Sequence, residues 1–448
     1  MLTTGRAAVP SRSLRQSSAH QAATLQSAAL RVAGLARLSA AEVEQQRHIS
    51  TELASAITEA GFARHLVPTR WGGLAGSFGS LLAASSAVAE ACASTAWCAT
   101  LYASHGRLAA YLPEQAQHDL WADGPDVRIA ASVVPPQGSA TAVAGGWRLA
   151  GQWSFASGVE HADWVLFASW TQPGEGSEAT NSPGSPGFSG FSGFSGFSGF
   201  SGGADAARPG DGVDAGRSAP AREHRIFAVP RAEVTVLDTW HTLGMRGTGS
   251  NSVELDGVFV PEHRTVTLDR LLHPAADAAR CHSVPYPMVA GLLFAMPILG
   301  AARGALDAWQ ADVAGRRRPD GEPAWHSAQL QATLAQSSAE IRASQLLLES
   351  VAERADHADV TALAVAQNQR DAVAAVQLCS ASVDRLFRSL GVRAQSEGHP
   401  VQQRWRDINT AAGHGTLRFE TAATAYAGAA FDTASGSSTG RSTDGGAE

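Results

Sequence analysis

The spacing of apolar residues along this chain changes period twice, and that limits the architectures open to it. Between about residues 28 and 123, apolar positions fall three and four apart, as at Leu53 and Ile57, the repeat of an amphipathic helix. Gly61, Gly72-Gly73 and Gly76 punctuate that region, and a helix is expected from about Ser77. From about Val127 to Pro261 the pattern becomes short β-rich runs. Arg128-Ile-Ala-Ala-Ser-Val-Val, Trp147-Arg-Leu-Ala, Trp164-Val-Leu-Phe-Ala-Ser-Trp, Arg225-Ile-Phe-Ala-Val and Ser252-Val-Glu-Leu read as strands separated by Pro and Gly turns. From about Tyr286 to Phe431 the helical period returns. Leu334, Ile341 and Leu348 recur every seven residues, as do Val376, Val383 and Leu390, the stripe of helices packed side by side. The expected layout is α+β: a disordered extension (1–27), a helical domain (28–126), a β domain (127–284), a four-helix bundle (285–432) and a disordered tail (433–448).

The β section is interrupted. Residues 173–222 are rich in Gly, Ser and Pro, and Phe188 to Gly202 is five consecutive copies of Phe-Ser-Gly. Gly and Ser bury too little to build a core. A repeat expansion inside a hairpin loop is tolerated because loop-closure entropy grows slowly with length. The strands ending near Trp170 and resuming near Arg225 are therefore expected to pair.

Composition removes several chemistries. All 34 basic residues are arginine, so no lysine is available for a Schiff base, a Walker motif, or a lipoyl or biotinyl attachment. A net charge of -7 without an extended basic cluster argues against nucleic acid as a partner. Cys92, Cys98, Cys281 and Cys379 form no CxxC pair, which implies no metal site and no disulfide framework, and points to a reducing, cytoplasmic compartment. Residues 1–25 lack the apolar stretch of a secretory signal. The uncharged run Val284–Ala302 contains Pro285, Pro287 and Pro297, and it is read as a buried core helix, with no membrane span.

Several local words then converge. Gly61-Phe-Ala-Arg-His-Leu-Val-Pro-Thr-Arg-Trp-Gly-Gly73, Ser94-Thr-Ala-Trp97, Tyr102-Ala-Ser-His105, Trp153-Ser-Phe-Ala-Ser-Gly158 with His161-Ala-Asp-Trp164, and Leu243-Gly-Met-Arg-Gly-Thr-Gly-Ser250 with Val260-Pro-Glu-His-Arg264 occur in that order. Together they resemble the oxygenase components of two-component, reduced-flavin-dependent monooxygenases, such as the 4-hydroxyphenylacetate and hydroxylated-steroid hydroxylases. The resemblance covers about 28–172 and 224–431. It implies the acyl-CoA dehydrogenase fold: a helical domain, a central β-barrel and a C-terminal four-helix bundle. It also implies reduced FMN or FAD with O2 as co-substrate, a C4a-hydroperoxyflavin intermediate, and hydroxylation of a phenolic or polycyclic aromatic substrate. No GxGxxG word follows a strand, so a separate NAD(P)H-flavin reductase is expected as partner.

The resemblance assigns roles to particular residues. His105, read as lying at the start of a helix running to Trp121, would face substrate and flavin, and Ser157 would stand beside flavin N5. Where acyl-CoA dehydrogenases carry a glutamate base after an Arg-Asp pair, here Arg406-Asp407 is followed by His414. Imidazole suits proton exchange near neutral pH better than removal of a weakly acidic C–H. Ser132, Trp153, Thr248 and Ser250 are further candidates for the flavin site. Arg318, in Arg316-Arg-Arg318, is the candidate for holding phosphate in a neighbouring subunit, making the active form a homotetramer or dimer. Two alternatives remain open at this level: a relative oxygenating nitrogen or sulfur, and an acyl-CoA dehydrogenase-like desaturase with Glu420 as displaced base.

Overall fold

The computed structural model describes residues 12–172 and 223–438. Five helices open it: α1 (Arg12–Gln46), α2 (Thr51–Glu59), α3 (Phe78–Ala91), α4 (Ala93–Ala109) and α5 (Glu114–Trp121). The α1 helix starts inside the stretch expected to be a disordered extension, and residues 1–11 lie outside the described chain. Ser50 and Ser77 cap α2 and α3 through their hydroxyls. The α4 helix is buried at every position, the signature of a helix enclosed on all sides.

Eight strands follow: β1 (Ile129–Ser132), β2 (Ser139–Val143), β3 (Gly146–Ala156), β4 (Trp164–Gln172), β5 (His224–Pro230), β6 (Thr235–Leu237), β7 (Asn251–Pro261) and β8 (Thr265–Thr267). Their order is β6-β7-β3-β2-β4-β5-β8, with β1 added beside β4. Among the described residues β6 and β8, the two ends of this order, do not pair with each other. The β4 and β5 strands are buried on both faces, and their side chains alternate. Val165, Phe167, Phe227 and Val229 join Trp153 and Leu149 in one core. Leu166, Ala168, Ile226 and Ala228 pack instead against Leu108, Leu112 and Trp121 from α4, the following turn and α5. The two strands pair antiparallel from Trp164–Pro230 to Trp170–His224, as expected on either side of the insert. The Phe-Ser-Gly insert itself, residues 173–222, lies outside the described residues.

The described residues end in seven α-helices: two short ones, α6 (Leu268–Leu272) and α7 (Arg280–Ser283), then α8 (Tyr286–Ala314), α9 (Ala328–His357), α10 (Ala362–Ser389), α11 (Pro400–Ala412) and α12 (Phe419–Ser438). The last five take the place of the expected four-helix bundle. The heptad positions Ile341, Leu348, Val376 and Val383 are buried in the main core. The α8 helix does not break at Pro297; it runs on to Ala314 with its apolar window mostly buried. At Gly300 α8 meets α3 closely enough that a Cβ would lie 2.1 Å from the Ser86 carbonyl oxygen. The α12 helix extends to Ser438, past the expected start of a disordered tail, and residues 439–448 lie outside the described chain.

Candidate active site

The site forms where α4 is wedged between the end of the sheet and the C-terminal helices. One extra residue on β3 sets its geometry. Trp153 pairs with Val253, but the next pair is Ala156 with Asn251, three residues on against two. This β-bulge places Phe155 at φ +68, in the left-handed region, and turns the strand end toward α4. Ser157 follows Ala156 and Ser250 precedes Asn251, so the two serines are neighbours across the bulged end. Their Oγ atoms are 2.6 Å apart.

Thr248 completes a buried hydroxyl cluster. It lies on the tight turn Arg246–Thr248, flanked by Met245 at φ +53 and Gly249 at φ +51. Its Oγ1 is 2.6 Å from Ser250 Oγ and donates to the Met245 carbonyl at 2.8 Å. The α4 helix clamps both turns. Trp97 Nε1 donates to Ser157 Oγ at 3.2 Å, Tyr102 Oη donates to the Gly158 carbonyl at 2.8 Å, and Gly158 N donates to the Thr248 carbonyl at 2.8 Å. From α11, Asp407 accepts from Met245 N at 2.6 Å and so anchors the Thr248 turn. Burial pushes the Asp407 carboxyl up to about 7.

His414 follows α11 and joins the same cluster. Its ring stacks on Phe294 of α8 at 3.8 Å and meets the edge of Trp97 at 6.1 Å. Its Nδ1 accepts from Thr416 N at 3.2 Å, which leaves the proton of the neutral ring on Nε2. His105 is the opposite tautomer. Its Nδ1 lies 2.7 Å from the Ile129 carbonyl, which can only accept, so Nδ1 carries the proton and Nε2 a lone pair. Burial pushes both imidazoles down to about 4, so both are neutral at pH 7. His105 is not at the start of a helix reaching Trp121; it lies in the second half of α4, and α5 is separate. Two turns of α4, about 12 Å, separate it from Trp97. Among the described residues no hydrogen bond joins His105 to Ser157 or His414. Ser132, on the strand that holds His105, donates to the Ser154 carbonyl at 2.7 Å.

Two expected site residues sit elsewhere. Trp153 is fully buried in the sheet core against Phe167, with its indole N–H donating to the Ala168 carbonyl. The cause is strand alternation: Trp153 lies before the bulge and faces inward, while Ser157 lies after it. Arg318 pairs with Asp320 at 2.8 Å beyond the far end of α8. Phe294 is about 30 Å of helix from that end, so Arg318 cannot join Ser157 in the same chain. Glu420 is exposed on the first turn of α12, away from the buried cluster. Sequence reasoning missed Phe294, which lies in a long apolar run without a distinguishing signal. It also left Asp407 unused, although the Arg406-Asp407 pair was visible.

The side chains fit a flavin by the chemistry they offer. Ser132 Oγ and His105 Nε2 present acceptors, and Ser157 adds a buried hydroxyl beside the indole of Trp97. Such a set suits a flat ring system carrying N–H and O–H donors.

The chain is similar in sequence and in fold to known proteins. The family model described as "Acyl-CoA dehydrogenase, C-terminal domain" matches residues 292–419. The oxygenase subunit HsaA of a flavin-dependent monooxygenase from Rhodococcus jostii is 29% identical over 392 residues, 84% of this chain and 90% of that protein. The oxygenase component of an FADH(2)-dependent resorcinol hydroxylase from Rhizobium sp. is 28% identical over 417 residues, covering 88% and 91%. The crystal structure of 3-HSA hydroxylase from Rhodococcus sp. RHA1 superposes with a TM-score of 0.74 at 26% identity, over 90% of this chain and 95% of that one. This chain is a homologue, across most of its length, of the oxygenase components of two-component flavin-dependent monooxygenases, and it has their acyl-CoA dehydrogenase fold.

Proposed function

We propose that this protein hydroxylates a phenolic or polycyclic aromatic substrate, using O2 and reduced FMN or FAD delivered by a separate NAD(P)H-flavin reductase. The observation that carries the reading is the meeting of buried Ser157, Thr248, Ser250 and Trp97 with half-buried His414, five residues from four separate segments, in one cluster at the sheet end. When bound there, reduced flavin supplies the activation of O2. The protein's own residues do the rest. Ser157 meets the ring's polar edge, with Ser250 and Thr248 lined up behind it. His105 Nε2, whose lone pair is fixed in place by Nδ1 on the Ile129 carbonyl, accepts the hydrogen bond of a substrate hydroxyl. His414, with its proton on Nε2, is the complementary donor. Trp97, Phe294 and the buried wall of α4 exclude water.

Arg318 is exposed enough to reach a neighbouring copy, and we assign it to the phosphate end of a flavin bound there, in a homodimer or homotetramer. All four cysteines are buried and unpaired, which supports a cytoplasmic setting.

The test supplies photoreduced flavin and O2 without any reductase, with phenols and acyl thioesters as candidate substrates. Oxygen incorporation into a phenol, together with no oxidation of NADH or NADPH by the protein alone, supports the reading. Oxidation of a thioester with no oxygen incorporated would establish the desaturase instead.

A further inference from the structure

The hydroxyl cluster has a proton direction, and it can be counted. Three oxygen–oxygen contacts run in series: Met245 O to Thr248 Oγ1 at 2.8 Å, Thr248 Oγ1 to Ser250 Oγ at 2.6 Å, and Ser250 Oγ to Ser157 Oγ at 2.6 Å. Each contact needs one proton, because bare lone pairs at such distances repel. Three hydroxyls supply three protons, one for each contact. A carbonyl can only accept, so the direction is set from that end. Thr248 donates to Met245 O, Ser250 donates to Thr248, and Ser157 donates to Ser250. Met245 O is itself held in place by the Trp240 indole N–H at 2.9 Å and by Thr248 N at 3.1 Å. Trp97 Nε1 donates to Ser157 Oγ, so that hydroxyl keeps an acceptor lone pair and no proton for a ligand. The three side chains are 1%, 5% and 6% exposed for Thr248, Ser250 and Ser157, which leaves no bulk water to relax the order.

We propose that Thr248 and Ser250, directed by the Met245 carbonyl, make Ser157 an acceptor only and thereby make the site select reduced over oxidised flavin. The inference rests on the flavin reading above. Reduction adds protons to ring nitrogens that are bare acceptors in the oxidised ring. An acceptor-only hydroxyl bonds such an N–H and opposes the lone pair that replaces it on oxidation. Thr248 and Ser250 act through Ser157 and are positioning residues. Their work is to release the spent, oxidised cofactor for re-reduction elsewhere.

The experiment measures the dissociation constants of oxidised and of anaerobically reduced FMN and FAD for wild type, Thr248→Val, Ser250→Ala and Thr248→Ser, with circular dichroism to confirm folding. Wild type binds the reduced form more tightly. Thr248→Val frees the Ser250 proton, so Ser157 can turn and donate, and Ser250→Ala frees the Ser157 proton directly. In each variant the preference for reduced flavin falls by about tenfold or more, equivalent to about 30 mV in the potential of the bound couple. Thr248→Ser keeps the preference. If wild type favours reduced flavin and both disruptive variants keep its ratio, the inference is overturned and the flavin reading stands. If wild type binds neither form, both fall.

Discussion

At the scale of single residues, the site is an arrangement of protons as much as of atoms. His105 and His414 are both neutral, yet one presents a lone pair and the other an N–H, because their Nδ1 atoms face a carbonyl and an amide respectively. Replacing His105 by Ala should lower turnover of a phenolic substrate by about a hundredfold while reduced flavin still binds. Steady-state kinetics beside a binding titration checks this, and an unchanged turnover removes the hydrogen-bond-accepting role. Ser157→Ala should divert O2 into hydrogen peroxide, read as the ratio of peroxide to hydroxylated product; an unchanged ratio would take Ser157 out of the site. Much at this scale was legible. Ser157, Thr248 and Ser250 stood in recognisable words, and His414 stood where a carboxylate was expected. Trp153 was misplaced because its word runs through a β-bulge. Sequence does not reveal an extra residue that turns the positions after it toward a different neighbour.

At the scale of elements, two helices hold the site from behind. Through Asp407, α11 grips the Met245 turn, and the cost is a carboxyl kept out of water. Its folded pKa of about 7 lies above the ordinary 3.8, so the folded state binds the extra proton between those values. Stability from this group therefore falls as pH rises through that window. Asp407→Asn, which keeps the acceptor for Met245 N, should be more stable than wild type at pH 8, by roughly 4 kcal/mol, and should lose that advantage toward pH 4. Chemical denaturation at both pH values decides it; equal stability at pH 8 contradicts the account. The second helix is α8, which carries Phe294 and meets α3 at Gly300. Gly300→Val should cost about 3 kcal/mol or more, or abolish folding, because the Ser86 carbonyl occupies the space its side chain needs. Wild-type thermal stability in that variant would contradict the close approach. Pro297 sits inside α8 without ending it, since packing around the buried helix outweighs one lost backbone hydrogen bond.

At the scale of the whole molecule, the change of period in the sequence yielded the order of helices, sheet and helices. It could not yield the strand order, because β2 beside β4 and β3 beside β7 are pairings between strands distant in the chain. The long insert is tolerated because Trp170 and His224 are already paired at its base. Replacing residues 174–221 by a short turn should leave flavin binding intact and raise stability by roughly 2 kcal/mol, from loop-closure entropy alone. Loss of folding in that variant would give the insert a structural role. His282 offers a separate check on how the helical part is buried. Its Nε2 donates to the Leu66 carbonyl, and burial pushes its pKa down to about 4, so the unfolded chain binds the proton first as pH falls from 6.5 to 4. His282→Gln should flatten the acid dependence of unfolding in that window by about one proton, and an unchanged slope would contradict its burial.

On the reading proposed above, this cluster turns reduced flavin and O2 into an oxygenating agent. Its most direct test mixes the anaerobic reduced-flavin complex with oxygen in a stopped-flow instrument. Two resolved phases are expected, an early near-ultraviolet rise followed by delayed recovery of the oxidised-flavin band, with the delay shortened in Ser157→Ala. Recovery in one step, at the rate of free reduced flavin, would contradict it.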